Sequence, residues 1–168
     1  MKKNKDGKYS ASNVAAYIIS SFNEKRETLD HLKLQKLLYF VAVKWIGEFG
    51  VYPYVQPTEK WKLGPVIRAI YGEYRSNGSG SITKPATTLR MENGKITLEE
   101  AKLAKFNEKE KDLVDQVLFE YGKRNSFELV DLTHSHTPWL KEERTINKNN
   151  GNLLEYSYDD FKEVLNEL

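Results

Sequence analysis

The stretch from Leu32 to Gly50, LKLQKLLYFVAVKWIGEFG, constrains the fold more than any other part of the chain. On a helical wheel centred on Leu34, the residues Leu37, Leu38, Val41 and Trp45 fall within about 60°. His31, Leu32, Gln35, Tyr39, Ala42 and Ile46 extend that arc to about 160°. Lys33, Lys36 and Lys44 occupy the remaining sector, with Phe40 and Gly47 among them. The pattern predicts a central buried helix over about 30–48, capped by Asp30, with only a narrow lysine stripe facing water. Gln35 lies inside the apolar arc. A buried amide left unsatisfied costs about 1–3 kcal/mol. Gln35 is therefore expected to clamp the backbone of another segment, either the WKLGP bend or the end of LVDLTH.

Around this helix the chain reads as a mainly α, single-domain helical bundle over 10–168, preceded by a disordered basic tail over 1–9. A first helix starts at Ser10 or Ser12 and buries Val14, Ala15, Ile18, Ile19 and Phe22. Pro53 and Pro57 call for an irregular passage, and EKWKL suits a short strand. Gly64-Pro65 reads as a helix start with proline at the first helical position, followed by a face of Val66, Ala69, Ile70 and Tyr74. TTLRMENGKITL predicts a small β-hairpin near 87–98 around a type I′ turn at Asn93-Gly94. Its Leu89, Met91, Ile96 and Leu98 share one face, which is expected to pack against helices. Asn107 caps the next helix, with Glu110 at the capping-box position. Ser126 caps a short helix, Thr137-Pro138 starts a brief turn, NKNNG breaks the chain, and Ser157 caps the last helix. That helix presents Tyr158, Phe161, Val164, Leu165 and Leu168 as its apolar face.

Composition narrows the function classes. The 26 Lys and Arg nearly balance 24 Asp and Glu, for a formal charge of +2. A nucleic-acid binder needs a dominant basic footprint, so direct nucleic-acid binding is not expected. Without cysteine there is neither a disulfide nor a thiolate zinc site. The longest apolar run, Leu37 to Val43, is far short of the ~20 residues of a membrane span. The N-terminal MKKNKDGK is not followed by a secretory apolar segment. A cytoplasmic protein without cofactor or metal is the expectation.

His134-Ser135-His136 is the one pairing with metal-ligand spacing. It would need His31, Asp131 or Glu128 to complete a set, and it reads better as a structural histidine at a helix end with a solvent-facing neighbour. Asp131 could orient His134, yet no matched nucleophile accompanies them. An unrecognised hydrolase around Asp131, His134 and His136 is thus the weakest functional reading. The Gly64-Pro65 helix start, helped by Lys62, could attract phosphate, but any helix start can.

Three pieces then combine. LKLQKLLYF, followed some twenty residues on by WKLGPVIRAIYGEY and then by LTHSHTPW, resembles the SocA-like antitoxin family, or Panacea domain. SASNVAAYIIS resembles the first helix of that family, and the likeness runs from about Ser10 to Trp139. The resemblance implies a mainly helical domain of bacteria and their mobile elements that neutralises a protein toxin encoded in an adjacent gene. Family members pair with toxins of unrelated kinds, and one is thought to deliver its toxin to a protease. The family motif falls here on Leu34, Gln35, Lys36, Leu37, Leu38, Tyr39, Trp61, Gly64, Pro65, His134, Pro138 and Trp139, most of them read as scaffold. Relatives with a DNA-binding segment have no counterpart of it here.

The leading expectation is an antitoxin that binds its cognate toxin directly, without catalysis. The alternative is a protease adaptor or regulatory interaction module of a mobile element, with a protease or chaperone as partner. Phe40 within the lysine stripe has two readings, a ring covering a neighbouring loop or an exposed anchor with a charged rim. On the second, Lys33, Lys36, Phe40 and Lys44 form the partner-binding face, extended by Arg68 or Arg75, and the lysines steer an acidic toxin surface.

Overall fold

The computed structural model describes residues 7–149 and 154–168. Helix α2 (His31–Phe49) is its axis. The Asp30 side chain accepts the Lys33 N–H at 2.8 Å, and Gly50 ends the helix with φ of 69°. From Lys33 to Ile46 every residue is buried except Lys44, which is partly exposed. The anticipated water-facing stripe is therefore largely absent. The charged residues are enclosed because helices and one short strand pack around α2.

Helix α1 (Ala11–Glu24) begins at Ser10, the first of the two serines considered, and buries Val14, Ala15, Ile18, Ile19 and Phe22. It lies against α2 and against α3 (Arg68–Tyr74). On the other sides of α2 pack α4 (Glu108–Tyr121), α5 (Ser126–His134) and α8 (Tyr158–Glu167). The short α6 (Thr137–Leu140) joins α5 to α8, and α7 (Glu143–Asn149) follows. Asn107 with Glu110 and Ser157 with Asp160 form reciprocal capping boxes that fix where α4 and α8 start. In α5 the cap is Asn125, paired with Glu128, one residue before the expected Ser126. Ser126 instead bonds the Asp30 carboxylate, tying the start of α5 to the start of α2. The last helix buries Phe161 and Val164, while Leu168 is exposed. Of the expected NKNNG break, the first three residues belong to α7 and the remainder lies outside the described residues.

Gly64-Pro65 does not start a helix. Strand β1 (Glu59–Trp61) turns back at Lys62-Leu63 into β2 (Gly64–Val66), pairing Trp61 with Gly64 and Glu59 with Val66. Only at Arg68 does α3 begin, so Val66 faces inward from a strand and Ala69 is exposed. Residues 154–156 extend this small sheet, with Lys60 N–H donating to Leu154 O and Tyr156 N–H to Thr58 O, both at 2.8 Å.

The second hairpin has the expected register. β3 (Thr87–Glu92) and β4 (Lys95–Glu100) pair Leu89 with Leu98 and Met91 with Ile96. Asn93 and Gly94 both take positive φ, 52° and 75°, as a type I′ turn requires. Its face is not packed against helices. Leu89, Met91, Ile96 and Leu98 are 68–75% exposed.

The basic tail was expected to be disordered through residue 9. Residues 1–6 lie outside the described residues, but Tyr9 is fixed in the fold. Its N–H donates to Pro53 O and its carbonyl accepts from Val55 N–H, each at 3.1 Å. Its hydroxyl donates to Glu110 at 2.6 Å, and Lys8 pairs with the same carboxylate at 2.7 Å. No helix among the described residues is long and apolar enough to cross a membrane.

Asp30 serves both the α2 cap and the contact with Ser126. Asp30→Ala should lower stability by about 1–2 kcal/mol, read as a reduced urea midpoint. Asp30→Asn, which keeps the capping oxygen, should recover most of that loss.

Candidate functional site

The motif residues converge where α2 meets the β1–β2 hairpin. Gln35 is buried, and its Oε1 accepts the Ile67 N–H at 2.8 Å while its Nε2 donates to Ile67 O at 3.2 Å. The amide thus pairs with one residue's backbone as a neighbouring strand would. Ile67 sits at the N-cap of α3 and has no side-chain cap of its own; its carbonyl also accepts the Tyr71 N–H at 2.9 Å, so it is the Ile67 N–H that Gln35 keeps from being orphaned by burial. The expected clamp exists, two residues beyond the WKLGP bend.

Lys36, the next residue, points into the same joint. It is fully buried, and its Nζ donates to Pro65 O at 3.1 Å. Gly64 lies directly over its stem with φ of 91°. A Cβ on Gly64 would come 2.6 Å from Thr133 Oγ1 and 3.0 Å from Lys36 Cε. Glycine is required there both for the positive φ and for the close approach. Thr133, also fully buried, donates to Val130 O at 2.9 Å and closes the joint from α5.

Two tryptophans lock the outer side. Trp139 Nε1 donates to Trp61 O at 3.0 Å, and His134 stacks on the Trp139 ring at 3.7 Å. Trp61 lies 4.9 Å from Tyr71, its Nε1 donating to Glu59 at 2.6 Å. Arg68 grips the same carboxylate through two bonds, at 3.0 and 2.9 Å. Pro138 stands in the first turn of α6, where its missing N–H is harmless. His136, expected to face solvent, is buried, with Nδ1 2.9 Å from the Tyr39 hydroxyl. Beside the joint, His31, Leu32, Trp61, Leu63, Val66 and Tyr71 edge an open cleft of about 500 Å³.

Electrostatics follow from this burial. Desolvation pushes the Lys36 ammonium down to about 7, opposed only in part by the Asp30 charge. Burial lowers the affinity of His31 and His134 for protons, and the Lys36 charge lowers it further. His136 is lowered by burial as well. An amine near neutrality could act as a nucleophile in an open site. Lys36 is sealed beneath Gly64, Pro65 and Thr133 and has no exposed surface.

The structure separates the expected partner face into unrelated parts. Phe40 is fully buried and stacks on Tyr121 of α4 at 3.9 Å, so the ring is covered by a helix and not presented to a partner. Lys36 is the buried clamp just described. Lys33 is 8% exposed and lies over the Phe22 ring. Only Lys44 approaches the surface, facing Glu120 at 3.8 Å. The motif residues Leu34, Leu37, Leu38 and Tyr39 are fully buried in the core. Sequence reasoning did not identify Thr133 as part of the joint, although it stands within the LTHSHTPW motif. It also missed the Glu59–Arg68–Trp61 cluster, because salt-bridge partners nine residues apart depend on the unanticipated β-turn.

Gln35→Leu should destabilise the fold by about 1–3 kcal/mol, because the buried Ile67 N–H loses its partner while the Ile67 carbonyl keeps the Tyr71 N–H; an unchanged denaturation midpoint would count against the clamp. Lys36 generates a pH dependence. Its ordinary value is 10.5 and its folded value about 7, so between these the unfolded chain binds the extra proton. Stability should therefore rise with pH above about 7, beyond the range in which the histidines titrate. Lys36→Met should flatten that rise between about pH 7 and 9 in urea titrations. Parallel profiles for the two proteins would show that Lys36 keeps its ordinary proton affinity.

The family model described as "Antitoxin SocA-like, Panacea domain" matches residues 34–140, which run from α2 through the last residue of α6. No curated protein and no solved structure gives a significant match.

Proposed function

Because the chain belongs to the SocA-like antitoxin family, the Panacea domain, we propose that it neutralises a cognate protein toxin by direct binding in the cytoplasm, without catalysis. The toxin is the product of an adjacent gene. The observation that carries this reading is the inward orientation of the motif: Gln35, Lys36, Gly64, Pro65 and Thr133 are spent on joining α2 to the hairpin and α5. A motif committed to the scaffold leaves the exterior free to be shaped to one particular toxin. The histidines of the hydrolase reading have structural occupations as well, His136 on Tyr39 and His134 on Trp139.

Stoichiometric titration separates binding from catalysis. Purified chain added to its toxin should abolish toxicity with a break at a fixed molar ratio, and the toxin should be recovered chemically intact by mass spectrometry. His134→Ala and His136→Ala should alter neutralisation only as far as they reduce the folded fraction. Neutralisation by a small fraction of one equivalent, or a covalent change in the toxin, would overturn the non-catalytic reading.

A further inference from the structure

The β3–β4 hairpin is an arm with no interior. Leu89, Met91, Ile96 and Leu98 lie on one face at 68–75% exposure, and none of the twelve strand residues is buried. Among the described residues each strand pairs only with the other. Two strands alone are marginally stable in water. Aliphatic side chains so grouped and so exposed mark a contact surface, not the scattered apolar residues of an ordinary exterior. The opposite face has the composition of a solvated surface, with an Arg90–Glu99 ion pair at 2.9 Å.

The arm is nevertheless held at its root. Ala86 N–H donates to the buried Tyr74 hydroxyl at 2.8 Å, and Ala101 N–H to Ala86 O at 2.8 Å. Just beyond, Asn13 of α1 binds Lys102 O through its amide at 2.8 Å and accepts the Ala104 N–H on its own carbonyl at 3.0 Å. Both ends are thus anchored to α1 and α3 while the apolar face stays exposed. A partner meeting a held element loses less ordering entropy than one meeting a loose loop.

We infer that this apolar face is where the toxin docks, covered by an apolar patch on the toxin surface. The inference rests on the antitoxin reading and assigns it a location. Area decides between a toxin and a second copy of the chain. Four such side chains offer roughly 500 Å². Two copies meeting face to face would hide about 1,000 Å², short of the ~1,600 Å² of a standard interface. A separate polypeptide, with a shape independent of this chain, can cover the face and add contacts to either open strand edge.

The test uses the full chain and the product of the adjacent toxin gene. A quadruple variant, L89S/M91S/I96T/L98T, removes the apolar face, I96E places a charge at its centre, and T88K alters the opposite face as a control. All these positions are exposed, so melting temperatures should remain near that of the wild type. The wild-type chain should capture the toxin and restore growth. The quadruple and I96E variants should lose affinity about tenfold or more, while T88K should not. If the apolar-face variants bind and rescue like the wild type, the toxin docks elsewhere and the antitoxin reading stands. If the free wild type is a dimer by light scattering and the quadruple variant a monomer, a second copy covers the face and the inference fails. If the wild type itself does not bind the toxin, direct binding fails and this inference with it.

Discussion

The paired hydrogen bonds between Gln35 and the backbone of Ile67 are the constraint on which the rest of the architecture depends. They allow a turn of extended chain to be buried against a largely apolar helix. Without them, the backbone between β2 and α3 would have to reach water or leave the core. With them, Gly64-Pro65-Val66 passes directly over α2, and Lys36 and Thr133 can close around it. The two outer tryptophans and α5 then take positions that this crossing dictates.

Lys36 shows why such a joint is more than hydrophobic packing. Burying an amine on a single carbonyl costs desolvation that burying a methionine would not. It nevertheless satisfies the buried carbonyl of Pro65 on a strand only three residues long. The hydrogen bond also specifies position: α2 can meet β2 only where the amine reaches Pro65 O. Buried polar contacts that fix one arrangement at some expense in stability are a recognised device.

Much of this was legible in the chain. Caps at Ser10, Asp30, Asn107 and Ser157 stand before apolar runs of helical period, and Asn93-Gly94 specifies its turn locally, so these elements were readable without tertiary information. The errors share a cause. Gly64-Pro65 satisfies the local rules for a helix start, and it is pairing with β1 and contact with Lys36 of α2 that make it a strand. Lys33, Lys36 and Phe40 look like a surface because lysine usually is one; Tyr121 and Pro65, which enclose two of them, are far away in sequence. Alternation in the hairpin showed which side chains share a face, but not whether this chain covers that face. The family motif was visible as a motif, and its inward orientation was not.

The position of α2 in the chain has a consequence for synthesis. Its most apolar surface lies within the first fifty residues, yet α4, α5 and α8, which cover it, come later. At 5–20 residues per second, about 6–24 s separate the translation of Phe49 from that of Leu168. During that interval α2 can collapse on α1 and the first hairpin, but its remaining sides are bare. The nascent chain is therefore most vulnerable to aggregation and degradation while still on the ribosome, and the supply of finished protein depends on uninterrupted translation.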